Sequence, residues 1–419
     1  MTSIDDKNKN STAAFVMLLI MFFLWGIAKN MTGTLLQNFR HIIHMSDLQE
    51  GVIKSAFYVA YFFAALPAVY YLYRKRSYKN CILVGLMLYA IGALMFFPAA
   101  SMESYFFYLV AIYVMATGCA ALETVANTYI VAAAPTHDKG VWRLNLAQSF
   151  NPLGSVLGIL LCQWLIIDNL NNQDGAAANT EIIREELDAI TMLYAGVGEV
   201  LLVILVMAIF VSIRSIQSVM IVRKPIDLWQ SIIRLMRIPT FRRGAMAIFV
   251  YVGAQTCVWG FTIPVINEQD GEYDAVFLYT CSMAVFAVSR FLFTWLMKYF
   301  RYQRLLLFAA ITALVFCLVV IFLDGVFVIT SLIMLSCCMS LMFATIFGMS
   351  LENTGRDTQT GGTILVMMIV GGGLLPPLQS VLAKTLSAQM SFILPAVCFL
   401  MLVMYSSFVL LLYDKKSNV

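Results

Sequence analysis

Apolar runs of about 20 to 28 residues, separated by short polar segments, make up most of this chain. A run of that length crosses the hydrocarbon core of a bilayer as an α-helix. The composition agrees, because 61% of the residues are hydrophobic and only 12% are charged, roughly half the charged fraction of a soluble domain. The sequence therefore predicts an all-α membrane protein.

The runs predict twelve transmembrane helices in two pseudo-symmetric bundles of six. The first bundle is predicted to cover residues 12–214 and the second 240–413. Residues 215–239 between them are basic and amphipathic, which favours a linker that lies on the inner membrane surface. Residues 71–78 after helix 2 resemble residues 295–302 after helix 8, as a repeat of two halves produces. The predicted helices cover residues 12–38, 48–73, 79–99, 105–134, 140–168, 189–214, 240–268, 273–298, 303–324, 326–354, 360–386 and 390–413.

Lysine and arginine cluster on one side of the predicted bundles, which gives the expected orientation. That side holds the residues before helix 1, the linker, and Lys415 and Lys416 near the C-terminus. The opposite side has only Arg40, Arg184 and Lys384. Both termini and the linker are therefore expected in the cytoplasm.

Several classes of function have no motif in this sequence. The formal charge of +4 comes from basic residues in short loops between apolar runs, so no nucleic-acid partner is expected. None of the nine cysteines or three histidines has the spacing of metal ligands, and neither a metal, a cofactor nor a disulfide framework is expected. No nucleophile–base pair or phosphate-binding loop is found, so the chain is predicted not to be an enzyme.

Glu123 lies in the middle of a long apolar run, residues 106–134. An ionisable side chain near the centre of a membrane costs several kcal/mol, so it is retained mainly where it faces a pathway or a partner. One interpretation is a structural carboxylate that holds two helices together. The other is a substrate or proton site in a transporter.

Seven motifs in helices 1, 2, 4, 5, 7, 10 and 11 are more specific than the general pattern of a transporter. They are FFLWGIA at 22–28, GVIKSAFY at 51–58, LETVAN at 122–127, RLNLAQSFN at 143–151, YVGAQT at 251–256, ATIF at 344–347 and MIVGGG at 368–373. In this order they resemble the fucose permease branch of the major facilitator superfamily, the fucose–galactose–glucose:proton symporters, over about residues 15 to 410. The resemblance implies two six-helix bundles, a central sugar site and alternating access driven by proton symport.

The resemblance also implies which residues bind the sugar and the proton. The family's essential helix-4 carboxylate matches Glu123, which is expected to carry the coupled proton. Trp25 matches its helix-1 tryptophan, and Gln148 and Asn151 match its helix-5 amides. Sugars present hydroxyls and a few C–H faces, so amides, a carboxylate and an aromatic ring suit their binding. The expected substrate-binding residues in these segments are Trp25, Asn30, Glu123, Asn127, Gln148 and Asn151.

Gln255 and Trp259, four residues apart in helix 7, offer an amide and an aromatic ring from the second bundle. Spacing alone favours sugar binding and packing equally for Trp259. Arg290 near the inner end of helix 8 fits the family pattern and is expected to anchor the gate or a loop. Glu199 in helix 6 stands where the family is apolar, and a structural role is favoured over that of a relocated proton carrier.

Helix 1 departs from the family at a position that is central to proton coupling. Gly33 stands where the family has an aspartate, and Lys29, four residues earlier, replaces an amide. A carboxylate is thus lost and a cation gained one helical turn away. Lys29 and Glu123 differ in predicted depth by roughly 10 Å, a distance that their side chains largely span, so an ion pair is one hypothesis. Snorkelling of Lys29 to the outer interface is the other.

These observations predict a secondary transporter that imports a fucose- or hexose-like sugar by proton symport, with altered coupling residues in helix 1. Its expected partners are a sugar, protons and the lipid of a bacterial inner membrane, and a monomer is expected. One alternative is a transporter for an acidic sugar derivative, such as a sialic, uronic or muramic acid, with Lys29 facing its carboxylate. Another is a non-transporting membrane sensor of sugars.

Overall fold

The computed structural model describes residues 15–27, 47–75, 77–102, 104–170, 179–210, 227–269 and 273–417. All regular secondary structure within these ranges is helical, which confirms the predicted all-α fold. Three residues of the predicted helix 1, Lys29, Asn30 and Gly33, lie outside the described residues.

Nine of the described helical segments are long and apolar enough to cross a membrane. Short 3-10 turns interrupt or join some of them, at Gly355–Asp357, Met368–Val370 and Met390–Phe392. The α-helices are α1 (Phe15–Ile27), α2 (Asp47–Lys75), α3 (Tyr78–Leu94), α4 (Phe96–Ser101), α5 (Tyr105–Ala132), α6 (His137–Gln148), α7 (Phe150–Leu170), α8 (Asn179–Phe210), α9 (Leu228–Met236), α10 (Pro239–Asn267), α11 (Ala275–Leu296), α12 (Tyr302–Phe322), α13 (Val326–Met339), α14 (Met342–Ser350), α15 (Thr358–Met367), α16 (Gly371–Thr385) and α17 (Ile393–Ser417).

Several helices predicted as single elements are interrupted in the structure. The helix predicted over 140–168 consists of α6 and α7, with Ser149 between them. The helix predicted over 360–386 is divided into α15 and α16 by the 3-10 turn Met368–Val370. At Ser149 the apolar pattern gives no sign of the interruption, because the backbone hydrogen bonds shift only locally. The turn Met368–Val370 directly precedes three glycines, Gly371–Gly373, which weaken a helix.

The described chain groups into two compact units. Unit 1 comprises Met1–Ala126 and Leu153–Ile221, and unit 2 comprises Asn127–Pro152 and Val222–Val419. The segment Asn127–Pro152, which holds the end of α5, all of α6 and the start of α7, thus groups with the second half of the chain. The predicted domain boundary at the linker, residues 215–239, stays a prediction.

Glycines allow close approach between helices in unit 1. A Cβ atom at Gly118 of α5 would collide with the backbone nitrogen of Tyr89 in α3. One at Gly154 of α7 would collide with the carbonyl oxygen of Phe23 in α1. These contacts position α5 and α1, the helices that carry the predicted carboxylate and the predicted tryptophan.

In unit 2 a buried carboxylate holds α9 to the start of α15. Asp357 accepts hydrogen bonds of 2.9 Å and 2.8 Å from Nε and Nη2 of Arg234 and one of 2.6 Å from the Ser231 hydroxyl. The Asp357 side chain is 7% exposed, whereas that of Arg234 is 35% exposed. The carboxylate therefore depends on these donors for the solvation that it loses on burial.

Removal of Arg234 is expected to destabilise the protein more than neutralisation of Asp357. Arg234→Met leaves a buried carboxylate without its bidentate partner, at a cost of about 1–3 kcal/mol, whereas Asp357→Asn leaves a cation that is partly in water. Thermal unfolding followed by circular dichroism measures the order. Arg301→Met, which breaks an exposed pair with Asp414, is the control and should unfold at the wild-type temperature. Wild-type melting temperatures for all three variants would contradict this account.

Candidate functional site

Unit 1 brings together a tryptophan, a tyrosine and a glutamate from three helices. Trp25 in α1 stacks on Tyr61 in α2, with 6.4 Å between the ring centroids and 21° between the ring planes. Tyr61 also interacts electrostatically with Glu123 in α5. All three side chains are buried, and Glu123 is only 6% exposed. Two residues predicted from the sequence thus share a neighbour in the structure.

The environment of Trp25 fixes the ring and leaves its polar edge available. Phe22 and Tyr61 both stack on the indole, with Phe22 at 5.6 Å between ring centroids. The buried indole N–H makes no hydrogen bond of standard geometry among the described residues, although it interacts with the Tyr61 hydroxyl. Buried donors are nearly always paired. A ligand hydroxyl would give this donor an acceptor of better geometry.

Two of the predicted amides bind each other in unit 2. Nε2 of Gln148, the last residue of α6, donates a 3.0 Å hydrogen bond to Oδ1 of Asn127 in α5. Both side chains are buried. Asn151 is half-buried in the first turn of α7. The structure thus joins Asn127 to Gln148 and places Asn151 just beyond the junction of α6 and α7.

The junction between α6 and α7 is formed by Ser149. Its hydroxyl donates a 2.8 Å hydrogen bond to the carbonyl of Asn145 and lies 3.4 Å from the hydroxyl oxygen of Thr294 in α11. A serine that bonds back to the preceding turn often bends a helix. The junction lies between Gln148 and Asn151, two of the predicted amides.

Arg290 in α11 lies between the backbone of Gln148 and the ring of Phe286, which in turn contacts Trp259. Its Nη1 donates a 3.1 Å hydrogen bond to the backbone carbonyl of Gln148. Its guanidinium carbon lies 5.3 Å from the ring centroid of Phe286. Phe286 in turn makes an edge-to-face contact with Trp259, at 4.9 Å between ring centroids. A continuous chain of contacts therefore runs from Gln148 to Trp259 within unit 2.

The indole N–H of Trp259 is hydrogen-bonded to a side chain of a neighbouring helix. Its Nε1 donates a 3.1 Å hydrogen bond to Ser336 in α13, which shares a 2.6 Å hydrogen bond with Ser282 in α11. Gln255, one turn earlier in α10, interacts with the side chain of Tyr251. Trp259 and Gln255 are both half-buried. The protein thus orients the indole while part of the ring remains accessible.

Side chains of the segment Asn127–Pro152 form further hydrogen bonds with α11, α12 and α14 in unit 2. This bonding explains why the segment groups with the second half of the chain. The bonded pairs are Trp142 Nε1 with the Thr294 carbonyl at 3.0 Å, Asn145 with the Thr345 hydroxyl at 3.4 Å, and the Tyr302 hydroxyl with Asp138 at 2.9 Å.

The predicted site residues fall in three groups. Trp25 and Glu123 belong to unit 1, and Lys29 and Asn30 lie outside the described residues. The second intramembrane carboxylate, Glu199 in α8, is exposed on unit 1, unlike the buried Glu123. The predicted site residues in unit 2 are Asn127, Gln148, Asn151, Gln255 and Trp259.

Three residues that contact predicted site residues are not identified from the sequence: Tyr61, Phe286 and Ser336. Tyr61 has one available signal, because it lies three residues after Tyr58, which ends the helix-2 motif, and so shares its helix face. Phe286 and Ser336 lie in apolar runs where phenylalanine and serine commonly serve helix packing. Nothing in the sequence distinguishes them from packing residues.

Comparison with known proteins identifies the family. The family model of the Major Facilitator Superfamily matches residues 17–369. The chain belongs to this superfamily, whose members are membrane transporters. The predicted major facilitator fold is therefore confirmed, and so is the prediction that the chain is not an enzyme.

Related proteins extend over almost the whole chain. It is 32% identical to the L-fucose-proton symporter of Escherichia coli (strain K12), across 96% of this chain and 94% of that protein. It is 29% identical to the glucose/galactose transporter of Brucella abortus biovar 1 (strain 9-941), across 95% of this chain and 94% of that protein. The structure is similar to a crystal structure of the transporter FucP in the outward conformation, with a TM-score of 0.83 and 31% sequence identity. The match covers 94% of this chain and 98% of the FucP chain.

Proposed function

We propose that this protein is a secondary transporter that carries a sugar across a bacterial membrane together with a proton. The observation that carries the proposal is the buried Glu123, which interacts with Tyr61, on which Trp25 stacks. An ionisable group enclosed in a membrane span is most often part of a transport pathway. The names of the two relatives, an L-fucose-proton symporter and a glucose/galactose transporter, support a fucose- or hexose-like sugar.

Glu123 is the proposed proton site. A carboxylate is neutral when protonated and then costs much less to bury, so proton binding is linked to movement of the group between wet and dry surroundings. The indole N–H of Trp25 and the hydroxyl of Tyr61 are donors for the ionised carboxylate or for a sugar hydroxyl. Loss of the proton and loss of the sugar are thereby coupled at one cluster in unit 1.

Amides and an aromatic ring in unit 2 are also proposed to bind a sugar, through its hydroxyls and C–H groups. Asn127 and Gln148 already bind each other, which orients both amides before a ligand arrives. Trp259 presents part of its ring for an apolar C–H face, and Gln255 and Asn151 add half-buried amides. A few oriented polar groups beside an aromatic surface suit the alternation of hydroxyls and C–H groups on a sugar.

Lys29 supports a second candidate substrate class. Lys29 lies four residues before Gly33, the position at which the fucose permease branch has a carboxylate. A cation here suits an acidic sugar derivative, such as a sialic, uronic or muramic acid. Under the first candidate, Lys29 forms an ion pair with Glu123 and alters proton coupling. The two candidates differ in whether Lys29 acts on the proton or on the substrate.

The location proposed for the protein is the bacterial inner membrane. The distribution of lysine and arginine supports cytoplasmic termini. The proposed working form is a monomer, which is the usual form in the superfamily.

Glu123→Gln is expected to abolish accumulation of the sugar against a gradient, because glutamine occupies the same space but binds no proton. Uptake of radiolabelled L-fucose and D-galactose into energised vesicles measures it. Exchange of sugar across de-energised vesicles should persist, which shows that the variant is folded. Glu199→Gln, at the exposed carboxylate, is the matched control and should accumulate sugar normally. Wild-type accumulation by Glu123→Gln would remove the glutamate from coupling.

Gln148→Ala and Asn151→Ala are each expected to weaken sugar binding by about 1–3 kcal/mol, because a buried hydroxyl loses its partner. That loss corresponds to a roughly 5- to 150-fold higher Kd in calorimetric titrations. Gln379→Ala removes another buried amide, which binds Ser391 in unit 2, and should leave the Kd unchanged. Unchanged dissociation constants for both helix-5 variants would place the sugar elsewhere.

Variants at Lys29 and Gly33 separate the two candidate roles of the lysine. If Lys29 pairs with Glu123, wild-type uptake should vary little with external pH between about 5 and 8, because the pair keeps the carboxylate ionised. Lys29→Asn combined with Gly33→Asp should then restore a steep pH dependence. If Lys29 binds the substrate, Lys29→Asn should abolish uptake of acidic sugars and spare neutral ones. Uptake of both sugar types by the variants at several pH values is the measurement, and no change in either property contradicts both roles.

A further inference from the structure

Among the described residues, the fully buried side chains of helix α9 lie on one face. Ser231 and Leu235, four residues apart, are fully buried. Arg234 and Ser231 both bind the buried Asp357. This face accounts for the position of α9, because it combines an ion pair with apolar contact at a single stripe of the helix.

The other side of α9 carries two stripes of opposite character. Positions 229, 232, 233 and 236 follow three- and four-residue spacing and therefore lie on one flank. They are all apolar: Trp229 is 69% exposed, Ile233 is 39% exposed, and Ile232 and Met236 are half-buried. Gln230, Arg234 and Arg237 follow the same spacing on the opposite flank.

The position of α9 along the chain sets its depth. It ends at Met236, and the membrane span α10 begins at Pro239. At its other face it is bonded to Asp357, the residue immediately before α15. A helix of nine residues that is held at the mouths of two membrane spans lies at the membrane–water interface.

The charges near α9 favour an acidic surface. Because Arg234 is paired with Asp357, the exposed cations are Arg237 at the end of α9 and Arg242 and Arg243 in the first turns of α10. The N-cap Asp227 is the one exposed acidic residue described within 227–243. Arginines beside an apolar stripe are the pattern by which interfacial helices bind acidic phospholipids.

We propose that α9 is a lipid-binding helix that docks on acidic phospholipids of the leaflet where α10 begins. Its apolar stripe (Trp229, Ile232, Ile233 and Met236) inserts below the headgroups. Arg237, at the C-terminal end of α9, and Arg242 bind the lipid phosphates, whereas Gln230 near the start of the polar flank faces water. The pair Arg234–Asp357 then connects the lipid-bound helix to the start of α15.

Fluorescence quenching of Trp229 in the full-length protein tests this docking. The protein and its Trp229→Phe variant are placed in nanodiscs of phosphatidylglycerol and phosphatidylcholine with acyl chains brominated near the headgroup, and the difference of their spectra gives the Trp229 emission. Bromine at that level should remove at least about half of it, because an interfacial helix is buried to roughly 5–10 Å. Aqueous iodide should quench it weakly.

A matched control moves the fluorophore to the polar flank. In the double variant Trp229→Phe, Gln230→Trp, the new indole should be quenched by iodide and spared by the brominated lipid. Equal access of iodide to Trp229 and to the indole at position 230 overturns the proposal. Protection of Trp229 from both quenchers also overturns it, since protein then covers the stripe.

The acidic character of the lipid is tested separately. Replacement of phosphatidylglycerol by phosphatidylcholine should reduce quenching of Trp229 by the brominated lipid, and Arg237→Gln with Arg242→Gln should reduce it similarly in acidic nanodiscs. Quenching that is the same in neutral and acidic nanodiscs overturns the assignment of an acidic phospholipid.

Discussion

Hydrocarbon offers no hydrogen-bond partners, so polar groups buried in a membrane protein must be satisfied by other groups of the protein or by a ligand. Unit 2 satisfies its own groups to a large extent. Gln148 uses its side-chain amide for Asn127 and its backbone carbonyl for Arg290. Trp259 donates to Ser336, which is bonded to Ser282. These bonds orient the groups, and under the proposed function that lowers the entropy that sugar binding must overcome.

Unit 1 differs from unit 2 in how its buried polar groups are bonded. The indole of Trp25 is packed by aromatic rings, and its N–H interacts with the Tyr61 hydroxyl without forming a hydrogen bond of standard geometry. Glu123 is buried close by, with Tyr61 between them as a common neighbour. Under the proposed function, the hydrogen bonds of this cluster change with protonation and sugar binding. The side chains of unit 2 are already hydrogen-bonded to one another, whereas those of unit 1 would exchange partners.

The sequence predicts the features that a lipid bilayer imposes directly: long apolar spans, and few charged residues within them. Apolar runs reveal the spans, and Glu123 is conspicuous because a carboxylate in such a run is expensive. The interruption at Ser149 is not predicted, because it alters backbone bonding without altering hydrophobicity. Contacts of Phe286 and Ser336 are also missed, since their partners are distant in sequence and their residue types are common in membrane helices.

The hydrogen bonds beside Ser149 have a consequence for any movement at this end of helix 5. Gln148 is bound by Arg290, Asn145 by Thr345, and Trp142 by Thr294. All three bonded residues lie on one helix, α6, of 12 residues. A displacement of α6 away from α11 and α14 would therefore have to replace several bonds at once, each of which contributes about 0.5–1.5 kcal/mol.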